Sequence, residues 1–337
     1  MKFYRMKSKD IRMNLATEEY LMNHVDISEP CLLLYIQKPC VIIGRNQNAY
    51  EEINFDYLRQ NDIVLTRRTS GGGAVYDDLG NMSFSFVTKK DATHFGDYHG
   101  VTQPILNALQ KMGAQNVEVQ GRNDLFVDGK KFSGNAMYTK NDRSYSHGTL
   151  MFDVDLSVLT KVLNVPQEKI ASKATKSVRK SVTNIKPYLS EEYQQLTTEE
   201  FRDQLLCHIY DVEVIESIQE KELILTEEDQ QQIQHLYQTR YANDQWIYGE
   251  APKYQWTKRK RFENVGIVEI RFSVAKGKIA EVQITGDFFG EEDIHHLEEQ
   301  LIGLPYNEDA RDEFEQLQID PYIHQLTKEQ FISLLFN

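Results

Sequence analysis

Residues 67–87 read RRTSGGGAVYDDLGNMSFSFV. The run DIVLTRR at 62–68 is rich in branched aliphatic residues and reads as a buried strand, and three consecutive glycines then strip the chain of side-chain bulk. Beyond them, Met82, Phe84 and Phe86 alternate with Ser83, Ser85 and Val87, the period of two that marks a half-buried strand. Asp77 to Gly80 reads as the turn of a hairpin between AVY and that strand. A glycine turn between strands lets backbone amides approach an anionic ligand, and Arg67 and Arg68 supply positive charge beside it. The competing reading is a tight β-turn with surface arginines. A Walker loop is excluded, because no Gly-Lys-Ser/Thr follows and the next residues read as strand.

Upstream, CLLLYIQ at 31–37 and CVIIGRNQN at 40–48 also read as buried strands, and 14–25 as a helix with Asn14 as its cap. Downstream, Asp128-Gly129 suits the positive φ angles of a type I′ hairpin and puts Lys131 just past the turn. Helical patterns near 101–111, 156–163, 198–209 and 227–241 interleave with the strands. The expected fold is therefore α/β of the α+β kind, a mixed, largely antiparallel sheet with flanking helices. Gly and Pro punctuation near 243–254 marks a domain edge, after which a hairpin turning at 276–277 and helices at 291–301 and 327–336 form a small C-terminal α/β accessory domain. The expected division is 1–246 and 247–337.

The 337 residues carry 38 Lys plus Arg against 51 Asp plus Glu, a net charge of −13, which repels a phosphate backbone and disfavours nucleic acid as a partner. Three cysteines, Cys31, Cys40 and Cys207, without metal-ligand spacing, argue for neither a disulfide framework nor structural zinc. The N-terminal stretch has no apolar run of signal-peptide type and the chain no 18-residue apolar stretch, so a cytoplasmic protein without membrane attachment is expected.

Three further stretches bear on chemistry. In GRNDL at 121–125, Asp124 is suited to orient a metal or a lysine, and Lys131 in KKFSGNA at 130–136 places a compact positive charge among small residues. A solvated hairpin lysine and an Asn-Asp turn is the plainer alternative. From 172 to 189 no Asp or Glu occurs, yet Lys173, Lys176, Arg179, Lys180 and Lys186 do, with Ser177 and Thr183 as further donors. That run reads either as an anion clamp or as a basic surface patch for an acidic partner. His147, beside Gly148, reads first as a structural histidine. No Ser-His-Asp order or HExxH motif stands out.

Taken together, VIIGRNQN at 41–48, RRTSGGGAVYDDLGN at 67–81, GRNDL, KKFSGNA, SHGTL at 146–150 and KATKSVRKSVTN at 173–184 resemble, in order, the lipoate-protein ligases of the bacterial LplA type. The resemblance implies a catalytic domain related to the biotin-ligase fold. It implies a two-step reaction: lipoate and ATP, with Mg²⁺, give lipoyl-AMP and pyrophosphate, and a lysine of an acceptor domain then takes the lipoyl group. Lys131 is implied as the catalytic residue. Arg68, Gly73, Ala74, Val75, Tyr76, Asn123, Asp124, Lys131, Lys173, Ser177 and Arg179 are implied around the nucleotide or adenylate, with Asp124 also a candidate for Mg²⁺. Arg45, Ser70, Gly71, Gly72, Lys131 and His147 are implied around lipoate, with Val41 to Ile43, Val75 and Tyr76 as apolar linings. The implied partners are E2 subunits of 2-oxoacid dehydrogenases and the glycine-cleavage H protein, met by a monomer. The chain departs from the family at Asp77-Asp78, where many members have His-Asp. Two alternatives compete: an ATP-independent lipoyl or octanoyl transferase working through a cysteine, for which the three cysteines lie outside the motifs, and a non-catalytic module binding an acyl-adenylate or an acceptor domain.

Overall fold

The computed structural model describes residues 1–90, 95–121, 123–163, 182–248, 256–275, 277–306 and 311–336. Ten strands precede residue 152: β1 (Lys2–Arg5), β2 (Cys31–Tyr35), β3 (Cys40–Ile43), β4 (Val64–Arg67), β5 (Val75–Asp77), β6 (Asn81–Lys89), β7 (Val117–Gln120), β8 (Asp124–Val127), β9 (Lys130–Lys140) and β10 (Arg143–Met151). Seven of them form one sheet in the order β1-β2-β6-β10-β9-β8-β7, in which only β1 and β2 run parallel. The largely antiparallel sheet expected from the sequence is present.

Both faces of this sheet are covered. Leu32, Leu34, Met82, Phe84 and Phe86 pack with the helices Tyr98–Lys111 and Thr198–Tyr210 in one core. Their strand neighbours Cys31, Leu33, Tyr35 and Val87 face the opposite way, into a second core with the helix Ile11–His24. That helix starts before the expected cap. Asp10, not Asn14, is the N-cap and accepts from the Arg12 amide, because Ile11 already belongs to the buried face. Asn14 lies inside the helix.

The expected hairpin across 74–87 is not formed. β5 pairs antiparallel with β3 in a separate sheet of order β4-β3-β5, whereas β6 pairs with β2 and β10 in the large one. The turn at Asp78–Gly80 carries the chain from one sheet to the other. Its amides are held by Asp78, whose Oδ1 accepts from Gly80 N and whose carbonyl accepts from Asn81 N. β6 is accordingly buried on both faces: Ser83 and Ser85 point between the two sheets.

A further unit follows, the antiparallel sheet β11 (Trp256–Phe262), β12 (Gly266–Ala275) and β13 (Lys278–Gly286). It packs with the helices Ile294–Leu301 and Lys328–Phe336 around a core of its own, from Phe262 to Leu335. No helix among the described residues is long and apolar enough to cross a membrane.

Asp77 lies where the two sheets meet and is 1% exposed. Its Oδ2 accepts from Gln37 Nε2 at 2.6 Å, but its Oδ1 has no partner among the described residues. Burial pushes its carboxyl up from 3.8 to about 7. The unfolded chain therefore loses this proton earlier, and the folded state loses stability as pH rises from about 4 through about 7. Asp77→Asn is expected to remove that slope. Thermal melts of both proteins between pH 4 and pH 8 should show the variant gaining over the native chain with rising pH, by on the order of 4 kcal/mol at the alkaline end. Parallel curves would exclude the burial effect.

Candidate functional site

The space between the two sheets holds a cavity of about 300 Å³. Leu15 comes from the first helix, Tyr35 from β2, Ile42 from β3, Val75 and Asp77 from β5, Ser83 from β6, and His147 and Thr149 from β10. Asn123, Asp124, Lys131, Gly134, Asn135 and Ala136 close the other side, and the triple-glycine turn contributes Gly72 and Gly73. Exposure orders the space. Lys131 and Asp124 are 35% and 29% exposed and mark a mouth, while Leu15, Tyr35, Asp77 and His147 are buried and mark an interior.

Lys131 reaches this cavity through the hairpin read from the sequence. Asp128 and Gly129 have φ of 46° and 72°, as a type I′ turn requires. The register of β8 against β9 then shifts between Leu125 and Phe126, and Phe132 drops into the large core while Lys131 lines the cavity. The Lys131 ammonium sits 2.8 Å from Asp124 Oδ1. A Cβ on Gly134 would stand 3.3 Å from Lys131 Nζ, so the missing side chain leaves the ammonium its room. Asn123 and Asn135 lock the two strands beside it, each side-chain amide donating to the other's backbone carbonyl.

The two arginines do not point at open space. Arg67 donates to the carbonyls of Gly44, Arg45, Gln47, Trp246 and Ile247. Arg68 donates to Ile42, Gly71 and Gly73 carbonyls and to Ser70 Oγ, and so folds the glycine turn around itself. Burial lowers both guanidinium groups to about 10, which leaves them charged at neutral pH. Gly72 adopts φ of +90°, and a Cβ there would strike the Phe289 ring at 2.6 Å. Ser70 Oγ is 2.7 Å from His147 Nε2, and His147 Nδ1 is 3.0 Å from Glu18 Oε1, a buried chain behind the cavity wall.

Of the residues proposed from sequence, Arg68, Gly72, Gly73, Ala74, Val75, Asn123, Asp124, Lys131 and His147 line this one cavity. Ser70 stands behind it on His147, and Gly71 packs on Phe288 and Phe289. Tyr76 belongs with Val41 and Ile43 to a core on the far side of β3, because alternate residues of a strand face opposite ways; only Ile42 and Val75 of the expected apolar linings reach the cavity. Arg45 forms an ion pair with Asp293 instead. Lys173, Ser177 and Arg179 lie outside the described residues. The basic run re-enters them at Val182, beside Lys131, where Thr183 N donates to the Lys131 carbonyl at 2.8 Å.

Sequence reasoning did not place Glu18, Tyr35, Asp77, Asp287 or Phe289 at the site, and it read Arg261 only within the basic run 258–261, as a surface for an acidic acceptor domain or a solvated patch at the domain edge; all six lie at or behind the cavity wall. Glu18 carried a faint signal, a carboxylate inside an otherwise apolar helical pattern. For Asp287 and Phe289 there was none, and the charge of Arg261 was visible without its place, since nothing local reports a docking partner two hundred residues upstream.

Comparison with known proteins identifies the family. Residues 10–210 match the lipoyl protein ligase A/B catalytic domain, and residues 251–335 the bacterial lipoate protein ligase C-terminus. The lipoate-protein ligase LplJ of Bacillus subtilis is 42% identical over 97% of each chain. P. falciparum LipL1, solved in complex with lipoate, shares the fold at a TM-score of 0.75 and 23% identity, over 99% of this chain and 97% of that one. A lipoate-protein ligase A bound with ATP aligns at a TM-score of 0.59 and 25% identity, over 74% of this chain and 98% of that one. With a matching family model over most of its length and a full-length relative at that identity, the chain belongs to the lipoate-protein ligase family of enzymes.

Proposed function

We propose that the protein couples free lipoate to ATP, forming lipoyl-AMP and pyrophosphate, and then passes the lipoyl group to a lysine of a lipoyl-acceptor domain, a salvage reaction carried out in the cytoplasm. The observation that carries this reading is the placement of the Lys131 ammonium on the same cavity as the triple-glycine turn. The ATP bound to the lipoate-protein ligase A relative supports the nucleotide, and the family supports lipoate and acceptor domains such as dehydrogenase E2 subunits or the H protein.

The chemistry follows from the order of residues along the cavity. A carboxylate is a poor electrophile until a phosphate ester gives it a leaving group. At the mouth, Lys131 meets both the carboxylate and the α-phosphate, lowering the repulsion between two anions as an oxygen of one attacks the phosphorus of the other. In the second step an acceptor amine attacks the acyl carbon, AMP departs with the electron pair of the C–O bond, and the amine loses a proton. Lys131 then faces the oxyanion that develops. The buried interior, with Leu15, Tyr35, Ile42 and Val75, takes the acyl chain. Asp124 is already paired with Lys131, which does not suit a carboxylate kept for a metal, so Mg²⁺ is left to the nucleotide.

Division of the chain into a catalytic part, 1–246, and an accessory part, 247–337, is supported by the separate core from Phe262 onward. A cysteine-based transferase is disfavoured. Cys31, Cys40 and Cys207 are all buried and absent from the cavity wall, and burial pushes each thiol up, Cys31 to about 12, away from the thiolate a nucleophile needs.

Two measurements test the reading. Incorporation of free lipoate into an acceptor domain should require ATP; equal incorporation without it would reject the ligase reaction. Lys131→Ala should cut lipoate-dependent pyrophosphate release by at least about tenfold, the loss of a charge-assisted contact of roughly 1.5–3 kcal/mol. A variant that releases pyrophosphate at the native rate removes Lys131 from the chemistry.

A further inference from the structure

The C-terminal unit reaches into the cavity. Gly72 N donates to the Phe288 carbonyl at 3.1 Å, Gly286 N donates to the Asn46 carbonyl at 2.7 Å, and Arg45 pairs with Asp293. Phe289 stands against Gly72. This docking brings Arg261, on β11, and Asp287, just after β13, onto the cavity wall.

Three Lys or Arg side chains line the cavity among the described residues: Arg68, Lys131 and Arg261. Arg68 is committed to three carbonyls and a hydroxyl, and Lys131 to Asp124. Arg261 differs. It stands 3.8 Å from Asp287 Oδ2, beyond hydrogen-bonding reach, and is 64% exposed at the mouth. Asp287 meanwhile accepts from the Ile267 amide through its other oxygen. The Arg261 guanidinium is thus loosely held and largely exposed where it lines the cavity.

ATP brings more negative charge than one ammonium offsets. When the carboxylate oxygen bonds to the α-phosphorus, the bond from that phosphorus to the bridging oxygen breaks, and pyrophosphate leaves with the electron pair. Charge develops on the leaving oxygens, and a planar guanidinium is the group suited to meet them. We propose that Arg261, supplied by the C-terminal unit, binds the departing pyrophosphate in adenylate formation. This rests on the ATP-dependent reading above. The transfer step contains no pyrophosphate, so Arg261 acts in the first half-reaction alone.

The test separates the halves in the full-length protein. Arg261→Gln and Arg261→Lys are compared with the native chain in lipoate-dependent pyrophosphate release, and in transfer from preformed lipoyl-AMP to an acceptor domain. The glutamine variant is expected to lose about tenfold or more in pyrophosphate release, with KM for ATP raised, KM for lipoate unchanged and transfer unchanged. The lysine variant should recover most of the loss. Native release in the glutamine variant, an equal loss in both half-reactions, or a lysine variant as impaired as the glutamine one would each overturn the proposal. If the native chain forms no adenylate from ATP but still lipoylates acceptors, the reading of function fails first and takes this one with it.

Discussion

A buried guanidinium underlies the geometry of the site. Among the described residues Arg68 has no carboxylate at hydrogen-bonding distance, so the desolvation of its charge is offset by carbonyl dipoles from Ile42, Gly71 and Gly73. Those three bonds give the glycine turn its shape and fasten it to β3. Gly72 is thereby held where the C-terminal unit docks, and Gly73 and Ala74 where they edge the cavity. Remaining charged at neutral pH, Arg68 also leaves a positive potential beneath the cavity.

The second constraint is that the central strands are buried on both sides. β2 and β6 send alternate residues into different cores, and the polar residues of β6 face the inter-sheet space instead of water. A cavity between two sheets inherits rigid walls from this arrangement, because its lining side chains belong to strands braced from behind by a packed helical layer. Asp77 and Ser83 supply polar atoms to the depth of that space, and Tyr35 and Leu15 supply apolar ones.

Much of this was legible in the residues themselves. The glycine turn, the type I′ hairpin at Asp128-Gly129 and the place of Lys131 just beyond it all follow from local backbone chemistry, which neighbours in sequence determine. The hairpin expected across Asp77 to Gly80 failed for the same reason. Alternation reports that a segment is a strand, but which sheet it joins is decided by partners such as β3 and β2 that the segment does not encode. The arginines were read as ligand contacts because their charge is visible in the text and their carbonyl partners are not. Glu18 was missed, and Arg261 was read as surface charge away from the site, because burial and docking are properties of the assembled chain.

The tie between Gly72 and Phe288 bears on how the molecule comes into being. Everything up to Tyr248 is translated before the strand that carries Arg261, and the core behind that strand is closed by Phe331 and Leu335, about seventy residues further on. As the chain is synthesised, the interior of the cavity and the Lys131 side of its mouth are walled before Arg261, Asp287 and Phe289 arrive, so a half-finished polypeptide presents the slot with an incomplete rim.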